Sequence, residues 1–132
     1  MHVGVVVYDS IEQTSGGYRY DRKLVEHLRD RGDDVEVVSI PRPSDRREGV
    51  SRSLRRRLDR PFDVLLQDEL CFPSLWRLNL RLTRPDTLVA LVHLRSSGGS
   101  RTPADRRVEA TYLRGVDAAV CTSADTRQRL DD

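Results

Sequence analysis

Aromatic side chains are scarce. They make up 5% of the 132 residues, so any core must be aliphatic, built from Val, Leu and Ala. Cysteine is scarcer still: Cys71 and Cys121 are too few for a disulfide framework and do not stand at metal-ligand spacing. Both follow or end apolar runs, where a free thiol behaves as a small hydrophobe, and a reducing cytoplasm is the simplest compartment to expect. Lys23 is the only lysine, and the remaining positive charge is arginine, which reads as a coding bias. Long apolar runs are missing too. Val3 to Tyr8 is too short for a signal-peptide core and has no basic leader, and Leu88 to Leu94 falls far below the ~20 residues that span a bilayer. Nor is there an excess of one charge: Lys+Arg 23 against Asp+Glu 21 leaves a net +2, which argues against a dedicated nucleic-acid binder.

What is present is a repeated alternation of β-branched runs with helical patterns. Val3 to Tyr8 suits a strand covered on both faces. A polar, glycine-bearing segment, Asp9 to Gly17, leads into a helix over Tyr18 to Arg31, with Asp21, Leu24, Val25 and Leu28 along one side. Gly32 stands where a helix-ending glycine belongs, and Val35 to Ile40 is the second strand. Val50, Leu54 and Leu58 form one helical stripe; further strands follow at Asp63 to Gln67, Thr87 to His93 and Asp117 to Thr122. A helix over Ala104 to Arg114 separates the last two. Ser74 to Thr83 fits either period, and the crossover that parallel neighbours need favours a helix capped by Ser74. The expected fold is therefore α/β, a single Rossmann-like domain over residues 1–132. Its parallel sheet is doubly wound, with about five strands in the order 3-2-1-4-5.

In such sheets ligands bind beyond the carboxyl ends of the strands. Those ends carry Tyr8-Asp9, Gln67-Asp68-Glu69, His93 and Thr122-Ser123, with Gly16-Gly17 just ahead of the first helix. A glycine pair lets backbone approach a ligand, and free amides at a helix start attract phosphate, although neither GxGxxG nor GxxxxGK[ST] is present. His93 ends a buried strand where imidazole could meet a hydroxyl or a phosphate oxygen. Asp68 and Glu69 are adjacent carboxylates that could orient hydroxyls or act as a base; equally, they could cap a helix or sit in solvent. Arg52, Arg55, Arg56, Arg57 and Arg60, then Arg77, Arg81 and Arg84, form two basic faces, either solvated or resting weakly on an anionic membrane. No Ser-His-Asp spacing and no zinc pattern occurs.

Gly16-Gly17-Tyr18 with Tyr20 to Val25, Val35 to Val38, Phe62 to Leu70, Pro73-Ser74-Leu75, Val92-His93-Leu94-Arg95, and Tyr112 to Arg114 with Val116-Asp117 and Thr122 to Arg127 occur in this order along the chain. Taken together, these segments resemble the amino-terminal domain of GT-B glycosyltransferases, specifically the retaining family 4 group. The resemblance implies sugar transfer from a nucleotide-sugar donor to a glycan or lipid-linked acceptor hydroxyl, with no catalytic metal and no other cofactor. It implies that Gly16 and Gly17 face the donor diphosphate and that His93 is the catalytic-site residue near the donor sugar. Asp68 and Glu69 would lie on the acceptor side, with Ser123 and Arg95 lining the cleft. The chain departs from the family in having a single histidine at the strand end and a Gly/Ser-rich stretch from Ser96 to Ser100. It also lacks the carboxyl-terminal donor-binding domain, which would have to be supplied in cis or in trans. A few charge-assisted bonds at about 1.5–3 kcal/mol each, set against about 4 kcal/mol for millimolar affinity, imply weak donor binding and no activity for this half alone. The rival expectation is a flavodoxin-like, receiver-type binding module, which would need a lysine after the last strand; none follows Thr122.

Overall fold

The computed structural model describes residues 1–9, 16–42, 52–93 and 102–121. The elements run β1 (His2–Tyr8), α1 (Gly16–Asp30), β2 (Asp34–Ile40), α2 (Arg52–Leu58), β3 (Val64–Asp68), α3 (Phe72–Leu75), β4 (Thr87–Val92), α4 (Pro103–Arg114) and β5 (Ala118–Cys121). Short 310 turns at Glu69–Cys71 and Leu78–Arg81 flank α3. All five strands are parallel, in a single sheet ordered β2-β1-β3-β4-β5.

The α/β doubly wound class is as expected, but the strand order is 2-1-3-4-5 and not 3-2-1-4-5. After β2 the chain returns across β1, so β3 pairs with β1 and β4 in the sheet interior. Residue character explains this. Val64, Leu65 and Leu66 put apolar side chains on both faces of β3, whereas β2 carries Glu36 and Ser39 and tolerates an edge. The reversal of direction between β1 and β3 is where a doubly wound sheet opens a crevice.

Strand parity sorts the core into two layers. Val3, Val5 and Val7 of β1, Leu66 of β3, and Val89 and Leu91 of β4 pack with Val25 and Leu28 of α1. Val6, Tyr8, Leu65, Ala90 and Val92 point the other way, onto Leu58 of α2, Leu75 of α3 and Tyr112 of α4. Gly4 of β1 allows that second layer to close: a Cβ there would stand 2.8 Å from Leu65 Cδ1 and 3.0 Å from Phe62. Gly32 ends α1 with φ 94°, its amide donating to Arg29 O while Asp33 N donates to Leu28 O, the paired bonds of a Schellman end.

The segment expected as one helix from Ser74 to Thr83 is instead broken. Ser74 is not an N-cap; it lies inside α3, and its hydroxyl shares a 2.8 Å hydrogen bond with Tyr8 Oη. The second 310 turn brings Asn79 inward, where its amide exchanges two hydrogen bonds with Gln67 at 2.8 and 2.9 Å. Tyr112 Oη adds a third, to Gln67 Oε1 at 3.0 Å. A regular helix through Ser74 to Thr83 would not serve that buried amide pair. α4 begins on a capping box, Thr102 with Asp105, with Pro103 in its first turn.

Candidate functional site

Aspartates at the two edges of the sheet have different partners. At the amino edge, Asp63 takes the His2 amide on Oδ2 at 2.7 Å, and its own amide donates to His2 O. Asp117 does the same with Leu88, again at 2.7 Å. These carboxylates tie neighbouring strands together and are accounted for by the fold.

At the carboxyl edge the carboxylates meet a histidine. Asp68, the last residue of β3, shares the parity of Leu66, and His93, just past β4, shares that of Val89 and Leu91. Both therefore point to the face covered by α1. Asp21 lies on the sheet-facing side of α1, one turn before Leu24 and Val25. His93 Nε2 sits 3.0 Å from Asp21 Oδ1 and 3.3 Å from Asp68 Oδ2. Both carboxylates are fully buried, whereas 14% of the His93 side chain is exposed. The Tyr20 ring meets the imidazole edge-on, with centroids 5.5 Å apart. Asp68 Oδ1 accepts from Leu70 N at 2.9 Å, so Asp68 also caps the turn that follows it.

The charges follow from this packing. Burial alone would push the imidazole down, but the hydrogen bonds and charges of Asp21 and Asp68 outweigh it and hold His93 up at about 9. Burial raises the Asp21 carboxyl, the His93 hydrogen bond opposes it, and the facing Asp68 adds to it, leaving Asp21 at about 7. Asp68 is also penalised by burial, yet hydrogen bonds to His93, Asp21 and Leu70 N pull it below the ordinary carboxylate range. Near neutrality the cluster thus holds an imidazolium, an ionised Asp68 and an Asp21 that can share its proton with Asp68. Asp21 Oδ2 and Asp68 Oδ2 have no other hydrogen-bond partner among the described residues.

The structure brings some of the sequence candidates together and separates others. Gly16 and Gly17 open α1 about 7 Å of helix rise before Asp21, on the end of α1 that meets the carboxyl edge. Asp68 and His93 are in contact. Glu69 is buried in the first 310 turn, so the adjacent carboxylates are not a solvated pair. Ser123 and Arg95 lie outside the described residues. Burial raises the Cys71 thiol well above its usual range, with the charges of Asp68 and Asp21 adding to the effect, so it is no nucleophile. Of the arginine faces, Arg57 donates to Ser39 O and Arg55 reaches Asp59, while Arg77 lies over the Trp76 ring. Among the described residues no helix is long and apolar enough to cross a membrane.

Asp21 is the residue the sequence reading did not single out as functional. It falls on the apolar stripe with Leu24, Val25 and Leu28; an acid on a core-facing stripe is itself the signal, since buried carboxylates need partners. No family model, curated protein or solved structure matches the chain.

Proposed function

We propose that this domain is the acceptor-side half of a retaining, nucleotide-sugar-dependent glycosyltransferase. The observation that carries the reading is the meeting of His93, Asp68 and Asp21 at the carboxyl edge of the sheet, on the end of α1 opened by Gly16 and Gly17. There an imidazolium supplies positive charge beside the start of a helix whose free amides also favour an anion, which suits a diphosphate leaving group. Asp68 and Asp21 hold the His93 ring in place and keep it protonated. Glycosyl transfer then needs a second domain to grip the nucleotide, and the acceptor, a glycan or lipid-linked hydroxyl, would enter over the Tyr20 side. A cytoplasmic placement, at most peripheral to the inner membrane face, goes with the same reading.

Titration of 15N-labelled protein with sugar nucleotides tests it. Binding in the millimolar range should perturb the Gly16, Gly17 and His93 amides first, without turnover by this domain alone, and His93→Ala should abolish the perturbations. Shifts confined to the amino edge, or none at 10 times a millimolar dissociation constant, would overturn the reading.

The strand order 2-1-3-4-5 favours a second reading, a flavodoxin-like binding module, with Asp68 in the position of a receiver's phosphoacceptor. Its carboxylate is fully buried, with Leu70 N on one oxygen and His93 beside the other. Labelling of Asp68 by a small phosphodonor would establish that reading in place of the first.

A further inference from the structure

Asp21 Oδ2 has no hydrogen-bond donor among the described residues, and Asp68 Oδ2 has only the His93 Nε2–H, which lies 3.3 Å away and is closer, at 3.0 Å, to Asp21 Oδ1. A buried carboxylate pair so poorly supplied with donors is a place that calls for a cation. A proton is one answer. The arrangement of the third group allows another.

We propose that Asp21, Asp68 and His93 form a binding site for a divalent transition-metal ion such as Zn2+ or Co2+. One ligand atom from each residue lies within 4.8 Å of the other two. The edges measured from His93 Nε2 are 3.0 Å to Asp21 Oδ1 and 3.3 Å to Asp68 Oδ2. With metal–ligand bonds near 2.0–2.1 Å, neighbouring ligand atoms stand about 2.9–3.4 Å apart in octahedral or tetrahedral coordination. Both edges at His93 are thus already spaced as such an ion requires, and the third lies within 4.8 Å. One imidazole nitrogen and two carboxylates select a borderline ion over Ca2+, which prefers six or more oxygens, and over thiolate-seeking ions. An outer partner is in place, since Leu70 N orients Asp68 through its other oxygen at 2.9 Å. The exposed edge of His93 gives an entry path, and three protein ligands leave one coordination position open. The ion would take His93 Nε2 in place of its proton, so the metal-bound cluster and the protonated imidazole of the proposed sugar-transfer site are alternative states of the same three residues.

The test uses the whole chain, freed of metal with a chelator and titrated with Co2+ and then Zn2+. One equivalent of Co2+ should bind, give visible d–d absorption and raise the thermal midpoint, and Zn2+ should displace it. Asp21→Asn and His93→Gln should each weaken binding at least 10-fold, whereas His2→Gln and His27→Gln should leave it unchanged. Should the site variants fail to fold, imidazole 15N shifts in the unaltered protein decide the matter: Zn2+ must move the His93 Nε2 resonance and spare those of His2 and His27. No stoichiometric binding, or binding that follows His2 or His27, overturns the proposal.

Discussion

Raising the pH should unfasten His93 from its two carboxylates, and the cost can be worked from the structure. In metal-free protein the imidazole rises from its ordinary 6.5 to about 9. A group raised on folding binds its proton more tightly in the native state, so its stabilisation is complete below pH 6.5 and is lost as pH climbs through about 9. Asp21 has the same sign, but its window runs from 3.8 to about 7 and is finished before the alkaline range begins. Asp68 has the opposite sign: its carboxyl is depressed, so its contribution disappears only as pH falls below about 4. From pH 7 to 9, then, His93 dominates. The full slope is about 1.4 kcal/mol per pH unit, but the folded imidazole is already half titrated at the upper end, so the loss over this range is about 2 kcal/mol. Little of this is screened, because only 14% of the side chain meets solvent. Urea unfolding at half-unit steps between pH 6 and 9.5, with chelator present, measures it. His93→Gln serves as the reference, carrying the alkaline background of Cys71 and Tyr8, both raised by burial. From neutral pH to the folded-state value of His93, stability should fall by about 2 kcal/mol more in the native protein than in the variant. Parallel curves would refute the reasoning.

Other perturbations test the fold around the cluster. Gly4→Ala should cost about 1–3 kcal/mol in chemical unfolding, because the new methyl meets Leu65 and Phe62 inside a closed layer. Asn79→Ala leaves the buried Gln67 amide without its reciprocal partner and should cost about 2 kcal/mol, more than Ser74→Ala, which removes one bond to Tyr8. Gly32→Ala forces a Cβ into a left-handed backbone and should lower stability by about 1–2 kcal/mol, with hydrogen exchange accelerated at the α1 carboxyl end.

Much of this architecture is legible in the residues. The β-branched runs, the α1 stripe and the Gly32 stop locate β1, α1 and β2 to within two residues of where they lie. The strand order was open because a right-handed crossover can place β3 beside β2 or beyond β1. Glu36 and Ser39, which mark β2 as an edge, were the clue that could have decided it. The segment after β3 misled because Trp76, Leu78, Leu80 and Leu82 satisfy two periods at once. Only the long-range pairing of Asn79 with Gln67, invisible in local sequence, fixes its broken course. In the site, Asp68 and His93 could be placed at the carboxyl edge by strand ends alone. Their meeting follows from counting parity along β3 and β4, and Asp21 joins them because it shares the stripe that α1 turns toward the sheet. The pKa balance was out of reach, since it depends on burial and on distances of a few tenths of an ångström.

The aspartate ties at the amino edge reach further than the strands they join. Because successive strand residues face opposite sides, sliding β3 by one position would carry Asp68 away from α1 and swing Gln67 toward it. Asp63 holds β3 against β1, and Asp117 holds β5 against β4, both at the end of the sheet remote from His93. The alignment of the carboxyl-edge cluster is thereby set at the far ends of the strands that carry it, by carboxylates that never touch it.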